Sequence, residues 1–226
     1  MSKNIPKVIW MFWDQGLSDS PEIVKSCYRS WVSQNPDWEV IFIDSSSIYS
    51  FFDAKAIIGK NEANIDSVKK SNLLRMNLLS KYGGVWADAT CFCSGPLSAW
   101  LYNYAKDGFF VFRDPAEDRI LSNWFIVSSR DNFLTQSFCE VQNEYFSRNL
   151  FSNQKNAFGK VFLSKLQGIS KRRESQDIYL SWFSRKILRV YPYFIFHYLF
   201  ASHIKNNSAA RTIFESMEYV SADEPH

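Results

Sequence analysis

Short apolar runs alternate with longer amphipathic ones along this chain, and most runs end on a polar or turn-forming cluster. "KVIWMFW" (7–13) follows Pro6 and stops at "DQG". Its β-branched and aromatic residues predict a buried first strand. "SPEIVKSCYRSWVSQNP" (20–36) places Ser20 as a cap and Pro21 at the first helical position, and it ends before Pro36. That pattern predicts a helix with Ile23, Cys27, Tyr28 and Trp31 on one face. "WEVIFID" (38–44) predicts a second strand. Strand, helix, strand in that order favours a parallel α/β sheet with a right-handed crossover.

The next segment, 45–60, reads as a helix-rich connector. "NIDSVKKSNLLRMNLLSKY" (64–82) predicts a long helix, with Lys81 near its C-terminus and Gly83 as its stop. "GVWADATCF" (84–92) then predicts a strand, and "GPLSAWL" a turn and short helix. Further strands are expected at 108–114 and 122–129, and an amphipathic helix at 131–149. Beyond residue 150 the periodicity blurs into basic and aromatic residues around Pro192. No repeat or low-complexity linker divides the chain. The expected organisation is a core over 1–150 with a helical, basic and aromatic part over 151–226 that is not an independent domain.

Composition changes the picture in three places. The 226 residues suffice for one large domain with a substantial core. Aromatic residues reach 17%, a share that serves cores, flat sugar- or base-binding faces, or a membrane interface. The net charge of +3 is uneven, at −2 over 1–150 and +5 over 151–226. A basic C-terminal third suits an anionic partner: phospholipid, a lipid-linked phosphate or nucleic acid. The four cysteines form neither a disulfide framework nor a zinc pattern, and read as small apolar fillers. Cys91 and Cys93 would share one face of the predicted strand. The N-terminus lacks the apolar run of a signal peptide, and no window of about 20 apolar residues could span a bilayer. A cytoplasmic protein is the expectation. The ending "SADEPH" offers no recognisable closing element, which suggests that the natural chain is longer.

Candidate chemistry gathers at the predicted strand ends, where parallel α/β sheets bind ligands. Those ends read "WDQG", "FID" and "WADAT". On a strand, Asp88 and Thr90 would share a face. An aspartate with a hydroxyl can hold Mg²⁺ or Mn²⁺, which take oxygen ligands together with phosphate oxygens. A D-x-T triplet also recurs by chance, and a turn or N-cap aspartate leading into "GPL" accounts for it as well. Arg75 lies inside "NLLRMNLL", where a guanidinium must either find a carboxylate or pocket, or reach solvent along its own stem.

Taken together, "IPKVIWMFWDQG", "WVSQNPDWEV", "SNLLRMNLLSKYGGVWADAT" and "SNWFIVSS" resemble, in order and spacing, the capsular polysaccharide synthesis glycosyltransferases. That group is related to glycosyltransferase family 32 and more distantly to the glucosylating clostridial toxins. The resemblance covers residues 5 to about 130 well and the remainder loosely. It implies a GT-A fold: a Rossmann-like α/β domain with a mostly parallel sheet that binds a nucleotide-diphosphate sugar. The family's D-x-D metal motif falls on Asp88-Ala89-Thr90. Asp88 then looks like the catalytic and metal-contacting acid, and Thr90 stands where many relatives have a second aspartate. Asn72 and Arg75 fall on positions implied to touch the donor sugar, although many relatives have Asp at the first. Trp86 matches an aromatic near the donor, Trp13 and Gln15 the edge that covers the base, and Asn123 and Trp124 the start of a strand near sugar and acceptor. The resemblance further implies Mn²⁺ or Mg²⁺, a UDP-sugar donor, a glycan or lipid-linked glycan acceptor of a surface polysaccharide or lipopolysaccharide, and retention of anomeric configuration.

With one carboxylate in the motif, a second could come from Asp223 or Glu224. The stretch 182–200 reads equally as a cap over the sugar site or as a peripheral contact with the inner face of the membrane. His197 reads as a core histidine or an acceptor-site base. Two other classes remain open: a non-catalytic carbohydrate- or lipid-binding module, and a nucleic-acid binder using "KRR" (171–173), although no nucleic-acid fold signature accompanies those residues.

Overall fold

The computed structural model describes residues 4–59, 65–149, 151, 177–187, 189 and 191–225. Among them, β1 (Val8–Phe12), β2 (Glu39–Ile43), β3 (Gly84–Ala87), β4 (Phe109–Ala116) and β5 (Arg119–Ser128) form one sheet in the order β2-β1-β3-β5-β4. β1 pairs in parallel with β2 and β3, and β5 is antiparallel to β3 and β4. Four strands thus run one way and β5 opposes them, so the sheet is mostly parallel, as expected. From β1 the chain passes through α1 (Glu22–Gln34) to β2 on one side. It returns through α2 (Ala54–Ile58) and α3 (Ser67–Tyr82) to β3 on the other. The strand order therefore reverses between β1 and β3, which opens a crevice at their carboxyl ends.

α1 differs in detail from its pattern. Pro21, not Ser20, is the N-cap residue, and the Ser20 hydroxyl donates instead to the Leu17 carbonyl at 2.8 Å. Its buried residues are Val24, Cys27, Ser30 and Trp31, whereas Ile23 is 59% exposed. Trp31 sets that rotation: its ring stacks on Phe125 at 6.1 Å, and its indole N–H donates to the Cys91 carbonyl at 2.8 Å.

α3 starts at an Asp66 cap that accepts from the Lys69 amide, and it buries Leu73, Leu74, Met76, Leu78 and Leu79 together with Asn72 and Arg75. Gly83 and Gly84 then turn the chain at φ 70° and 97°. A Cβ on Gly84 would meet Val8 Cγ1 at 2.5 Å, so glycine is what lets β3 lie against β1.

β3 is shorter than its pattern suggests. It ends at Ala87, not Phe92. The Asp88 amide donates to the Trp124 carbonyl at 2.8 Å, and the Cys91 amide closes a turn on the Asp88 carbonyl at 2.8 Å. Asp88 therefore opens a turn and Thr90 lies within it, so the two do not share a strand face, and Cys91 and Cys93 lie beyond the strand. Burial, with the Asp88 charge beside it, pushes the Cys91 thiol up to about 12, which suits a filler.

Aromatic side chains supply much of the core. Trp100 packs on Phe110 at 5.6 Å, Phe110 on Phe112 at 5.1 Å and Phe112 on Trp124 at 5.1 Å. Past α4 (Leu101–Tyr104) and α5 (Phe133–Arg148), the described C-terminal elements are α6 (Asp177–Leu180), a π-turn over Phe183–Ile187, α7 (Ile195–Asn206) and α8 (Ser208–Ser216). α7 packs on β5, α5 and α8, and α8 packs on α5. Residues 220–222 strap the free edge of β4: the Arg113 amide donates to the Val220 carbonyl, and the Ala222 amide to the Arg113 carbonyl, both at 2.8 Å. The "KRR" stretch and the first residue of the expected 64–82 helix lie outside the described residues. No helix among the described residues is long and apolar enough to cross a membrane.

Candidate functional site

A cavity of about 550 Å³ opens at the carboxyl ends of β1 and β3. Trp13, Asp14 and Gln15 line it from β1, Ser71, Asn72 and Arg75 from α3, and Asp88, Ala89 and Thr90 from the turn after β3. Asn123 and Arg119 line it from β5, and Tyr193, Phe194, Phe196 and His197 from the start of α7.

Arg75 is the hub. Its side chain is only 4% exposed, and burial pulls its pKa down while the Asp88 carboxylate opposes that. The guanidinium donates to Asp88 Oδ1 at 3.1 Å, to Ser71 Oγ at 3.1 Å and to the Asn123 carbonyl. Its Cζ lies over the rings of Trp86 and Phe196, 5.0 Å and 5.5 Å from their centroids. The helical spacing of Ser71 and Arg75 thus carries a charge to the foot of β3, and the choice between a pocket and solvent resolves as pairing inside a pocket.

Asp88 is held from behind. The Trp86 indole N–H donates to its Oδ1 at 2.7 Å, beside the bond from Arg75. Oδ2 has no hydrogen-bond partner among the described residues, and the side chain remains 34% exposed toward the cavity. One oxygen fixes the carboxylate and the other is presented. Asn72 is buried at the cavity wall, where its Oδ1 accepts from Asn123 Nδ2 at 3.3 Å. Thr90 and Gln15 are exposed at the rim.

Of the residues singled out in the sequence, Trp13, Gln15, Asn72, Arg75, Asp88, Thr90 and Asn123 converge on the cavity. Trp86 and Trp124 do not line it. Trp86 is 1% exposed beneath Asp88, and Trp124 stacks on Phe112 with an interplanar angle of 19°. Asp223 and Glu224 are exposed and outside the lining. His197 is 5% exposed, and burial, with Arg119 and Arg75 nearby, pushes its pKa down to about 3. A ring held neutral in this way does not gain a proton at physiological pH.

Sequence reading missed Arg119; it left open a cap over the sugar site from 182–200 without naming Tyr193, Phe194 and Phe196, which line the cavity. Arg119 sits at a hairpin tip, "PAEDR", that reads as an ordinary charged turn. The α7 aromatics reach the cavity only because α7 packs on β5, a long-range contact with no local signal.

A family model described as capsular polysaccharide synthesis protein matches residues 1–226. Among curated relatives, the O-glycosyltransferase braB of Annulohypoxylon truncatum is 25% identical over 154 residues, which is 60% of this chain and 36% of that protein. The glycosyltransferase afumC of Aspergillus fumigatus is 28% identical over 156 residues, 59% of this chain and 39% of that protein. The chain thus spans well under half the length of these relatives. Among solved structures, the PaToxG glycosyltransferase aligns with a TM-score of 0.48 at 14% identity, covering 96% of this chain and 89% of that one.

Proposed function

We propose that this chain, which belongs to the capsular polysaccharide synthesis protein family, transfers a sugar from a nucleotide-diphosphate donor to a glycan or lipid-linked glycan. The donor is a UDP-sugar by family analogy. The observation that carries the reading is the half-committed Asp88 carboxylate: Oδ1 is fixed by Arg75 and Trp86, and Oδ2 is turned toward a 550 Å³ cavity at the switch point of the sheet. A cleft of that size suits a nucleotide sugar.

In the reaction, the C1–O bond between sugar and diphosphate breaks and a glycosidic C1–O bond forms on the same face. The acceptor hydroxyl's proton passes to the leaving diphosphate. Arg75 holds Asp88 in place, and Asn72 with Asn123 forms a polar wall for sugar hydroxyls. Trp13 and Gln15 bound the β1 side, where the base would lie. The donor set fits Mn²⁺ or Mg²⁺: Asp88 Oδ2 and the Thr90 hydroxyl are hard oxygen ligands, and such ions commonly keep one or two protein groups plus phosphate oxygens. Among the described residues no group of three or more His, Cys, Asp or Glu gathers to supply a fuller set. When bound, the cation would offset the charge of the leaving diphosphate. The exposed Trp182, Phe183 and Ile187, interspersed with Arg185 and Lys186, would bring the enzyme to an anionic membrane face that carries a lipid-linked acceptor.

The test is a panel of UDP-, GDP- and CDP-sugars with Mn²⁺, read by thermal stability and by release of free nucleotide. One donor class should stabilise the protein only when metal is present and be slowly hydrolysed. If no nucleotide sugar shifts the melting temperature, the chain is a binding module of another kind.

A further inference from the structure

Asp88 directly follows β3, the strand between β1 and β5, so the cavity has two sides. The β1 side would take the nucleotide. The β5 side is built from Arg119 together with Tyr193 and Phe194, which lead into α7. Tyr193 is 71% exposed, a large aromatic face left in solvent beside a cavity. Its phenol also lies close enough to Arg75 to influence that charge. Phe194 lies under the Arg119 guanidinium, 4.4 Å from ring to Cζ.

Charge decides what this side can accept. Arg119 is paired with Asp118 through Nε at 3.2 Å, and Arg75 with Asp88. His197, behind the rings, is held neutral by burial. Every cationic group described on this side is compensated or uncharged, which argues against a phosphate or carboxylate as the natural occupant. The terminal N–H groups of Arg119 remain free to donate, because Nε is the atom that Asp118 takes. A flat exposed ring beside a rigid fork of donors suits a ligand with one apolar face and a rim of hydroxyls.

The geometry points to an acceptor-sugar subsite on the β5 side, in which an uncharged pyranose stacks its C–H face on Tyr193 and receives hydrogen bonds from Arg119. This assignment rests on the donor reading above, which uses Asn123 but leaves the part of the cavity beside Arg119 and Tyr193 unoccupied. Tyr193 is here a binding residue for the acceptor and touches neither the nucleotide nor Asp88.

The test uses the full chain with Mn²⁺ and UDP present, and saturation-transfer NMR with methyl glycosides of glucose, galactose, mannose and N-acetylglucosamine. At least one glycoside should bind in addition to UDP. Its affinity should fall about tenfold in Tyr193→Ala and stay near wild type in Tyr193→Phe. Arg119→Gln should weaken it severalfold. Because Tyr193 is exposed, its loss should not unfold the protein, and a circular-dichroism melt of each variant checks this. The assignment is overturned by any of four results: no glycoside binds, UDP displaces the glycoside, Tyr193→Ala binds it as wild type does, or Tyr193→Ala instead abolishes binding to anionic phospholipid vesicles. Failure of the donor reading looks different, since no nucleotide sugar would then stabilise wild-type protein whatever the glycosides do.

Discussion

Asp14 and Asp88 follow neighbouring strands at the same edge of the sheet and line the same cavity, yet the fold treats them in opposite ways. Both Asp14 oxygens are taken. Oδ1 accepts from Ser45 Oγ and, at 3.3 Å, from Lys70 Nζ, and Oδ2 accepts from Ser67 Oγ at 2.9 Å. Asp88 has one oxygen fixed by Arg75 and Trp86 and the other facing the cavity. A carboxylate whose acceptor capacity is filled by its own chain joins β1, the β2 turn and α3. A carboxylate held on one side only is positioned and still has a lone oxygen to offer. A strand-end aspartate is therefore assigned by how its oxygens are satisfied, not by its place in the sheet.

The largest effect that sharpens this contrast is at Asp88 itself. Asp88→Asn should reduce donor-dependent nucleotide release by about a hundredfold or more and leave the protein folded, at a cost of about 2 kcal/mol because the buried Arg75 loses its counter-charge while the Asn Oδ1 can still accept its hydrogen bond. Next comes Arg75→Met, which removes the buried guanidinium and leaves Asp88 Oδ1 with Trp86 alone. It should cost about 2 kcal/mol of stability, below the usual loss for a broken buried pair because Asp88 is a third exposed. Urea unfolding measures that loss, and nucleotide release should fall as well.

Asp14→Asn should differ from Asp88→Asn in its effect on turnover. A loss of about 1–2 kcal/mol is expected from weakening three polar contacts, again by urea unfolding, with donor turnover retained. The smallest effect is its pH dependence. Hydrogen bonding from Ser45 holds the Asp14 carboxyl below its ordinary range, opposed by partial burial and helped by Ser67 and Lys70. A lowered folded-state pKa contributes stability above the unfolded value of about 4, lost as pH falls through the folded value. The stability difference between wild type and Asp14→Asn should therefore be level from about pH 5 to 8 and shrink below about pH 4. A difference that instead shrinks above pH 5 would contradict the hydrogen-bonded assignment.

Most of the α/β frame was legible in the sequence because it is written locally. β1, β2, α1, α3 and the β4–β5 hairpin each carry their own periodicity and punctuation. Arg75 was legible in part, since a charge inside "NLLRMNLL" must find a partner or reach solvent, and its burial beside Asp88 decides between the two. The end of β3 was not. "ATCF" has strand composition, but the chain turns at Asp88, where the Trp124 carbonyl takes the last rung and Trp86 and Arg75 capture the side chain. Trp86, expected near the donor, does not line the cavity: its indole serves Asp88 from below. The α7 wall was one of two readings left open for 182–200. Nothing in "YPYFIFHYLF" distinguishes a core helix from a cavity wall, and packing on β5 decides it.

The central claim is that Asp88, unlike Asp14, presents a free oxygen to a metal-bound nucleotide sugar. The direct measurement is the melting-temperature shift produced by the best UDP-sugar, with Mn²⁺ and then with EDTA, in wild type, Asp88→Asn and Asp14→Asn. Donor at about a hundred times its Kd should add about 2.7 kcal/mol, a shift of several degrees. The account predicts that shift in wild type and in Asp14→Asn with Mn²⁺, and its loss in Asp88→Asn and in EDTA. An undiminished metal-dependent shift in Asp88→Asn would contradict it.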